Sequence, residues 1–112
     1  HFGHLPVWLG GNAYFNGASV CKHEEDKLIG KAKAKITFKA GLLKSNLSEL
    51  TGDYRTGLIS TAILGAAFEP EQRFENRDGS DILFNEDFFG EHRGASVIPG
   101  PFAQLKDEIN LA

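Results

Sequence analysis

The sequence predicts an all-β fold, a small antiparallel up-and-down β-barrel of about eight strands, with a β-sandwich as the alternative. Three observations predict it. Residues 28–40 alternate with period two, placing Leu28, Gly30, Ala32, Ala34, Ile36, Phe38 and Ala40 on one parity and Lys31, Lys33, Lys35, Thr37 and Lys39 on the other. A helix would scatter those lysines around its circumference, so the pattern reads as one long strand with a buried and a wet face. Thirteen glycines in 112 residues suit tight turns and close strand packing. Short apolar segments also recur along the chain between turn signals, as they do in barrels and sandwiches.

Taken in order, residues 1–7 form an N-terminal extension of a single β domain covering 1–112. Residues 8–20 carry Trp8, Tyr14 and Phe15 and read as a strand, bent where Gly10, Gly11 and Gly17 fall. The charged stretch 21–27 then joins it to 28–40 as a long hairpin loop. Residues 42–50 are ambiguous, because Leu42, Leu43, Leu47 and Leu50 fit a short helix or a strand and turn. Residues 56–68 read as a buried strand bulged at Gly65. Asp78-Gly79 marks a turn, and 82–84 and 87–90 flank a second at Asn85-Glu86. Pro99 and Pro101 cannot donate to a ladder, which puts 94–103 at an edge, a bulge or a strand end. The tail closes the sheet through Ile109 and Leu111, with a terminal helix competing. A closed barrel is preferred because it removes exposed edges.

Composition bounds the function. The chain is 41% hydrophobic and 24% charged, ordinary for a folded domain. A net charge of −3 argues against a nucleic-acid partner, which would ask for a basic face. No apolar run approaches the roughly 18 residues of a membrane span. A single cysteine, Cys21, excludes an internal disulfide. Methionine is absent and the chain opens at His1, which is read as a removed leader or a fragment.

Several residues form a pattern that resembles the C-terminal β-barrel of the transferrin-binding-protein-B-like family of bacterial surface lipoproteins and secreted haem-capture proteins. Gly11, Ala13, Phe15 and Gly17 keep the spacing of its first barrel strand, and 30–38 resembles its second. Phe88-Phe89-Gly90, then Ala95, Ile98, Gly100 and Phe102, resemble its closing strands. Val97 stands where that family has an acid, and Pro99 and Pro101 depart from it. The resemblance implies a closed barrel used at the cell surface or outside the cell, binding a host protein or haem through loops at one end.

Candidate chemistry is sparse. His1 offers its α-amine and a ring nitrogen to one metal, with His4 beside it, a nitrogen set that suits copper. The plainer reading is a frayed terminus or tag remnant. One axial histidine is enough for haem, and His23 and His92 sit in loops from which they reach it. Cys21 beside Lys22 and His23 is a thiol with neighbouring cations, without any signature around it. The acids Glu24, Glu25 and Asp26, and later Asp78 and Asp81, lack a calcium-loop pattern and read as solvated turns. Asn46-Leu47-Ser48 fits a glycosylation acceptor. Phosphate loops, dinucleotide fingerprints and nucleophile elbows are missing, so the expectation is a non-enzymatic binding module. Haem and copper are its candidate cofactors. A structural subunit that self-assembles through open edges is the competing class.

Overall fold

The computed structural model describes residues 8–67 and 69–112. Among them seven short strands and two short helices follow in the order β1 (Asn12–Tyr14), β2 (Lys27–Ile29), β3 (Ile36–Lys39), β4 (Leu42–Ser45), α1 (Leu47–Thr51), β5 (Thr56–Gly57), α2 (Thr61–Leu64), β6 (Ser96–Val97) and β7 (Glu108–Asn110). The chain is therefore rich in strand and loop. Its strands fall into three separate sheets, β1-β2, β3-β4-β7 and β5-β6, which do not close into the expected barrel.

The first departure lies at β1 and β2, which pair parallel with Asn12 opposite Lys27 and Tyr14 opposite Ile29. A parallel pair needs a crossover of about a dozen residues, and 15–26 supply it in place of a hairpin loop. Backbone bonds extend the pair at each end, Gly11 N–H donating to Asp26 at 2.7 Å and Gly30 N–H to Tyr14 at 2.8 Å.

The second departure is inside 28–40. That stretch is strand only at its two ends, and 30–35 between them is irregular. Two asparagines explain the break. Asn16 Oδ1 accepts from Ala34 N–H at 2.8 Å and its amide donates back to the Ala34 carbonyl at 3.3 Å. Asn46 Oδ1 likewise accepts from Lys35 N–H at 2.8 Å, while its amide donates to the Lys33 carbonyl at 3.0 Å. A carboxamide carries the same donor and acceptor as a peptide group, so these side chains satisfy backbone that a ladder would otherwise hold. The parity expected to be buried is also open, with Ile36 57% and Phe38 62% exposed. The Asn46 amide, read above as a glycan acceptor, is already engaged in this clamp.

From Ile36 on the sheet is regular. β3 and β4 form an antiparallel hairpin over Ala40-Gly41, with Phe38 opposite Leu43. Both turn residues have positive φ, 53° and 78°, as a two-residue turn matched to strand twist requires. Gly41 cannot be larger, because a Cβ there would stand 2.6 Å from the Ala112 Cβ. The tail does close this sheet as expected: β7 pairs with β4, placing Ile109 opposite Leu43, and Ile109 is buried. Residues 42–50 hold both competing elements, the strand β4 and the helix α1.

The stretch 56–68 is not one buried strand. It is β5, then α2, whose N-terminus is capped by the Ser60 hydroxyl accepting from Ile63 N–H at 3.3 Å. Beyond α2 the chain pairs through single bridges, Ser60 with Leu83, Ala66 with Arg73, Glu75 with Asp81 and Glu86 with His92. Thr61 is buried and ties two of these turns together. Its hydroxyl donates to the Phe74 carbonyl at 2.7 Å and accepts from Ile82 N–H at 2.6 Å. The turn at Asp78-Gly79 is as read, with Asp78 Oδ1 accepting from Ser80 N–H at 3.0 Å. The second turn falls at 87–90 instead of Asn85-Glu86, because Asp87 Oδ1 accepts from the N–H groups of both Phe89 and Glu91, at 2.9 and 2.8 Å.

Little apolar surface is hidden. Among the described residues the buried hydrophobic side chains are Val97 and Ile109, while Phe74, Phe84, Phe88 and Phe89 are all exposed. The accessible surface is 8524 Å² for 12.2 kDa. A compact protein of that mass exposes about 6,000 Å². The radius of gyration, 16.5 Å, likewise exceeds the roughly 13 Å of a compact chain of this length.

Candidate binding site

The parallel pair β1-β2 carries two carboxylates into contact with their neighbours. Asn12 and Tyr14 alternate on β1 and so face the same way. Both reach Glu24, which is fully buried. Its Oε1 accepts from the Asn12 amide at 2.6 Å and the Asn12 backbone N–H at 3.3 Å, and its Oε2 accepts from the Tyr14 hydroxyl. The Tyr14 bond is the main reason that the Glu24 carboxyl sits below its ordinary 4.5, against the opposing effect of burial. The same bond raises the Tyr14 phenol.

Two residues on, Asp26 joins β2 to β5. Its Oδ1 accepts from the Tyr54 hydroxyl at 2.6 Å and its Oδ2 from the Thr56 hydroxyl. The Thr56 bond, then the Tyr54 bond, holds the Asp26 carboxyl below its ordinary 3.8. Burial, then the bond to Asp26, pushes the Tyr54 phenol up to about 12. What the sequence presents as a solvated acidic run is therefore a structural rivet at Glu24 and Asp26. The legible signal was Asn12 and Tyr14 on one strand face; the parallel pairing that brings Glu24 under them was not legible.

Against this rivet lies a cleft of about 320 Å³, lined by Trp8, His23, Glu25, Asp26, Thr56 and Ile63 among others. Trp8 is 46% exposed. Its indole folds back over Gly10, where an added Cβ would touch the ring at 3.4 Å. Its lining thus combines an exposed indole with carboxylate, hydroxyl and imidazole groups and with the apolar Leu58, Ile59 and Ile63. Such a lining can stack an apolar C–H face on the indole and exchange hydrogen bonds with hydroxyl groups. A second, larger groove of about 460 Å³ is mostly apolar, with Phe15, Ile36, Leu43, Leu47, Pro101 and Phe102 in its walls.

Of the residues singled out in the sequence, His23 is exposed and lines the Trp8 cleft. His92 is exposed and lies outside that cleft, bridged to Glu86. His1 and His4 lie outside the described residues. Among the described residues no three His, Cys, Asp or Glu side chains converge as a metal set. Cys21 is a free, half-buried thiol. No described helix is long and apolar enough to cross a membrane. The aromatics of 88–102 do gather: the Phe89 ring stacks on Phe102 at 5.9 Å, and Phe88 stands edge-on to both.

No protein-family model matches the chain, and no curated protein matches it. Among solved structures the chain is similar to XylC, determined in complex with xylose, with a TM-score of 0.79 and 25% identity. The match covers 96% of this chain and 18% of XylC, so the fold described here spans about a fifth of that longer protein.

Proposed function

We propose that the chain is a non-enzymatic β-rich module of a larger carbohydrate-handling protein, which holds a small neutral sugar of the pentose type in the Trp8 cleft and rests its apolar surface on further polypeptide. The observation that carries this reading is the fold shared over 96% of the chain with a fifth of a xylose-bound protein. The cleft supports the ligand class, pairing an exposed indole with Asp26, Glu25 and Thr56. The surface supports the module: the excess over a compact protein of this mass is of the size that a large protein interface buries, on the order of 2,000 Å². Exposed aromatics on that scale mark an interaction site.

Trp8 is the only tryptophan, so its emission reports on the cleft directly. Titration with xylose is expected to give a saturable change in that emission at millimolar sugar, retained in Trp8→Phe by ligand-observed NMR and weakened in Trp8→Ala. No response by either method would overturn the sugar reading. The module reading is checked separately, by the binding of a hydrophobic dye to the isolated chain. A chain that binds no dye and sediments as a compact monomer would overturn it.

A further inference from the structure

Among the described residues no strand pairs with the outer edge of β3, and the chemistry of that edge selects what can close it. The two-residue turn makes Lys39 and Leu42 a hydrogen-bonded pair, so bonding alternates to Thr37 and Lys44 and leaves Ile36 and Phe38 with N–H and C=O groups turned away from β4. The opposite side of β4 agrees with this phase, since Ser45, the partner of Ile36, donates its N–H to Asp107 next to β7. β3 lies at the end of its sheet, all four of its residues are exposed, and Ile36 and Phe38 present apolar side chains on one face.

The other face carries two exposed lysines at this edge, Lys35 just before β3 and Lys39 at its end, with Thr37 between them. The acids on that side, Glu49, Asp107 and Glu108, line a groove with Lys35, Thr37 and Lys44. Among the described residues the ion pairs are Lys44–Glu108, Arg73–Glu75 and Arg73–Asp81, none of which engages Lys35 or Lys39. Those two lysines are therefore the β3 charges that a strand added at the edge would meet. A second copy is a poor occupant, because antiparallel pairing of two β3 edges sets Lys39 of one opposite Lys35 of the other, and like charges across a ladder are destabilising.

We propose that the β3 edge accepts, by strand addition, an extended segment of polypeptide from outside these residues in which apolar and acidic residues alternate. Its backbone pairs with Ile36 and Phe38, its apolar side chains lie beside theirs, and its carboxylates stand opposite Lys35 and Lys39. The proposal rests on the part of the functional reading that sets further polypeptide against the chain, and not on the sugar cleft.

The test uses the whole chain and a fluorescein-labelled, end-capped octapeptide of alternating valine and glutamate, read by anisotropy. Saturable binding is expected, at least tenfold weaker at ~0.5 M than at ~0.05 M salt as screening demands. Phe38→Pro removes an N–H that faces outward and leaves the β3-β4 bonds in place, so it should lower affinity at least tenfold. The double variant Lys35→Glu and Lys39→Glu leaves the edge intact and should now prefer the valine–lysine peptide, which guards against a folding defect in the proline variant. Absence of binding, equal binding of both peptides to the wild-type chain, or indifference to Phe38→Pro would overturn the proposal. So would a dimer in sedimentation that Phe38→Pro dissolves, which would make a second copy the occupant. Trp8 emission with xylose is unaffected by these variants, so the two readings fail separately.

Discussion

Gly30 extends the β1-β2 pair one residue past β2, and adding one methyl group there tests whether the Phe15 ring packs against it. A Cβ on Gly30 would stand 2.3 Å from Phe15 Cδ1 and 2.4 Å from Cε1. Carbon atoms pack at about 3.5–4.0 Å, so ring and backbone must separate by more than 1 Å. The backbone is not free to retreat, because Gly30 N–H donates to the Tyr14 carbonyl at 2.8 Å. The ring must move instead, into the apolar groove whose wall it forms. Overpacking of this kind costs about 1–3 kcal/mol. Gly30→Ala is therefore expected to lower unfolding free energy by about 2 kcal/mol in urea titration, without changing the slope. In a Phe15→Leu background, where the clashing ring edge is gone, the same change should cost well under half as much, a coupling visible in a double-mutant cycle. Equal costs in both backgrounds would refute the packing argument, and so would a Gly30→Ala chain as stable as the wild type.

The remaining predictions concern the polar rivets and the histidines. The depressed Glu24 and Asp26 carboxyls stabilise the folded state above their ordinary values and lose that contribution as pH falls through their lower folded values, so acid unfolding should begin below about pH 4.5. The raised Tyr54 phenol works in the opposite direction: stability is full below pH 10.0 and declines as pH rises toward about 12. This alkaline limb should shrink in Tyr54→Phe, leaving the part that the raised Tyr14 phenol contributes, as read by denaturant titration at fixed pH. Thr61→Val strands the Ile82 N–H and the Phe74 carbonyl and should destabilise by about 1–3 kcal/mol in the same assay, whereas Thr61→Ser should retain most of the stability. Added haemin is expected to give no protein-dependent Soret shift; a shift lost in His23→Ala or His92→Ala would instead support haem capture.

The parts of the fold legible in the sequence are those decided by near neighbours. The Asp78-Gly79 turn and the Ile109 strand each follow from local backbone chemistry or a short apolar pattern. The long strand at 28–40 failed for a nonlocal reason. Its period-two pattern is genuine, yet Asn16 and Asn46 supply its middle with the hydrogen bonds of a partner strand, and no spacing rule reveals two carboxamides placed that way. Gly30, expected on the buried face of one long strand, instead meets the Phe15 ring, a contact that the alternation does not contain. The parallel pairing of β1 with β2 also lay beyond the pattern, since an acidic connection of about a dozen residues serves a hairpin loop or a crossover equally. Burial of Glu24 followed from that pairing and was invisible with it. The open sheets and the similarity to XylC add nothing to the transferrin-binding-protein-B-like resemblance, whose glycine–aromatic spacing many β folds share.

Three of the four single bridges form a nested set, and nesting orders events in time. Glu75 with Asp81 and Ala66 with Arg73 each close a short stretch, and both lie inside the span closed by Ser60 with Leu83. Closing the inner pairs first shortens the slack that the outer pair must gather, so the entropic barrier to the long closure falls with each short one. The buried Thr61 hydroxyl then locks the assembled turns from the inside. Unfolding reverses that sequence, so the amide of Ile82 should exchange with solvent in the same step that releases the 60–83 span, while the 75–81 turn persists.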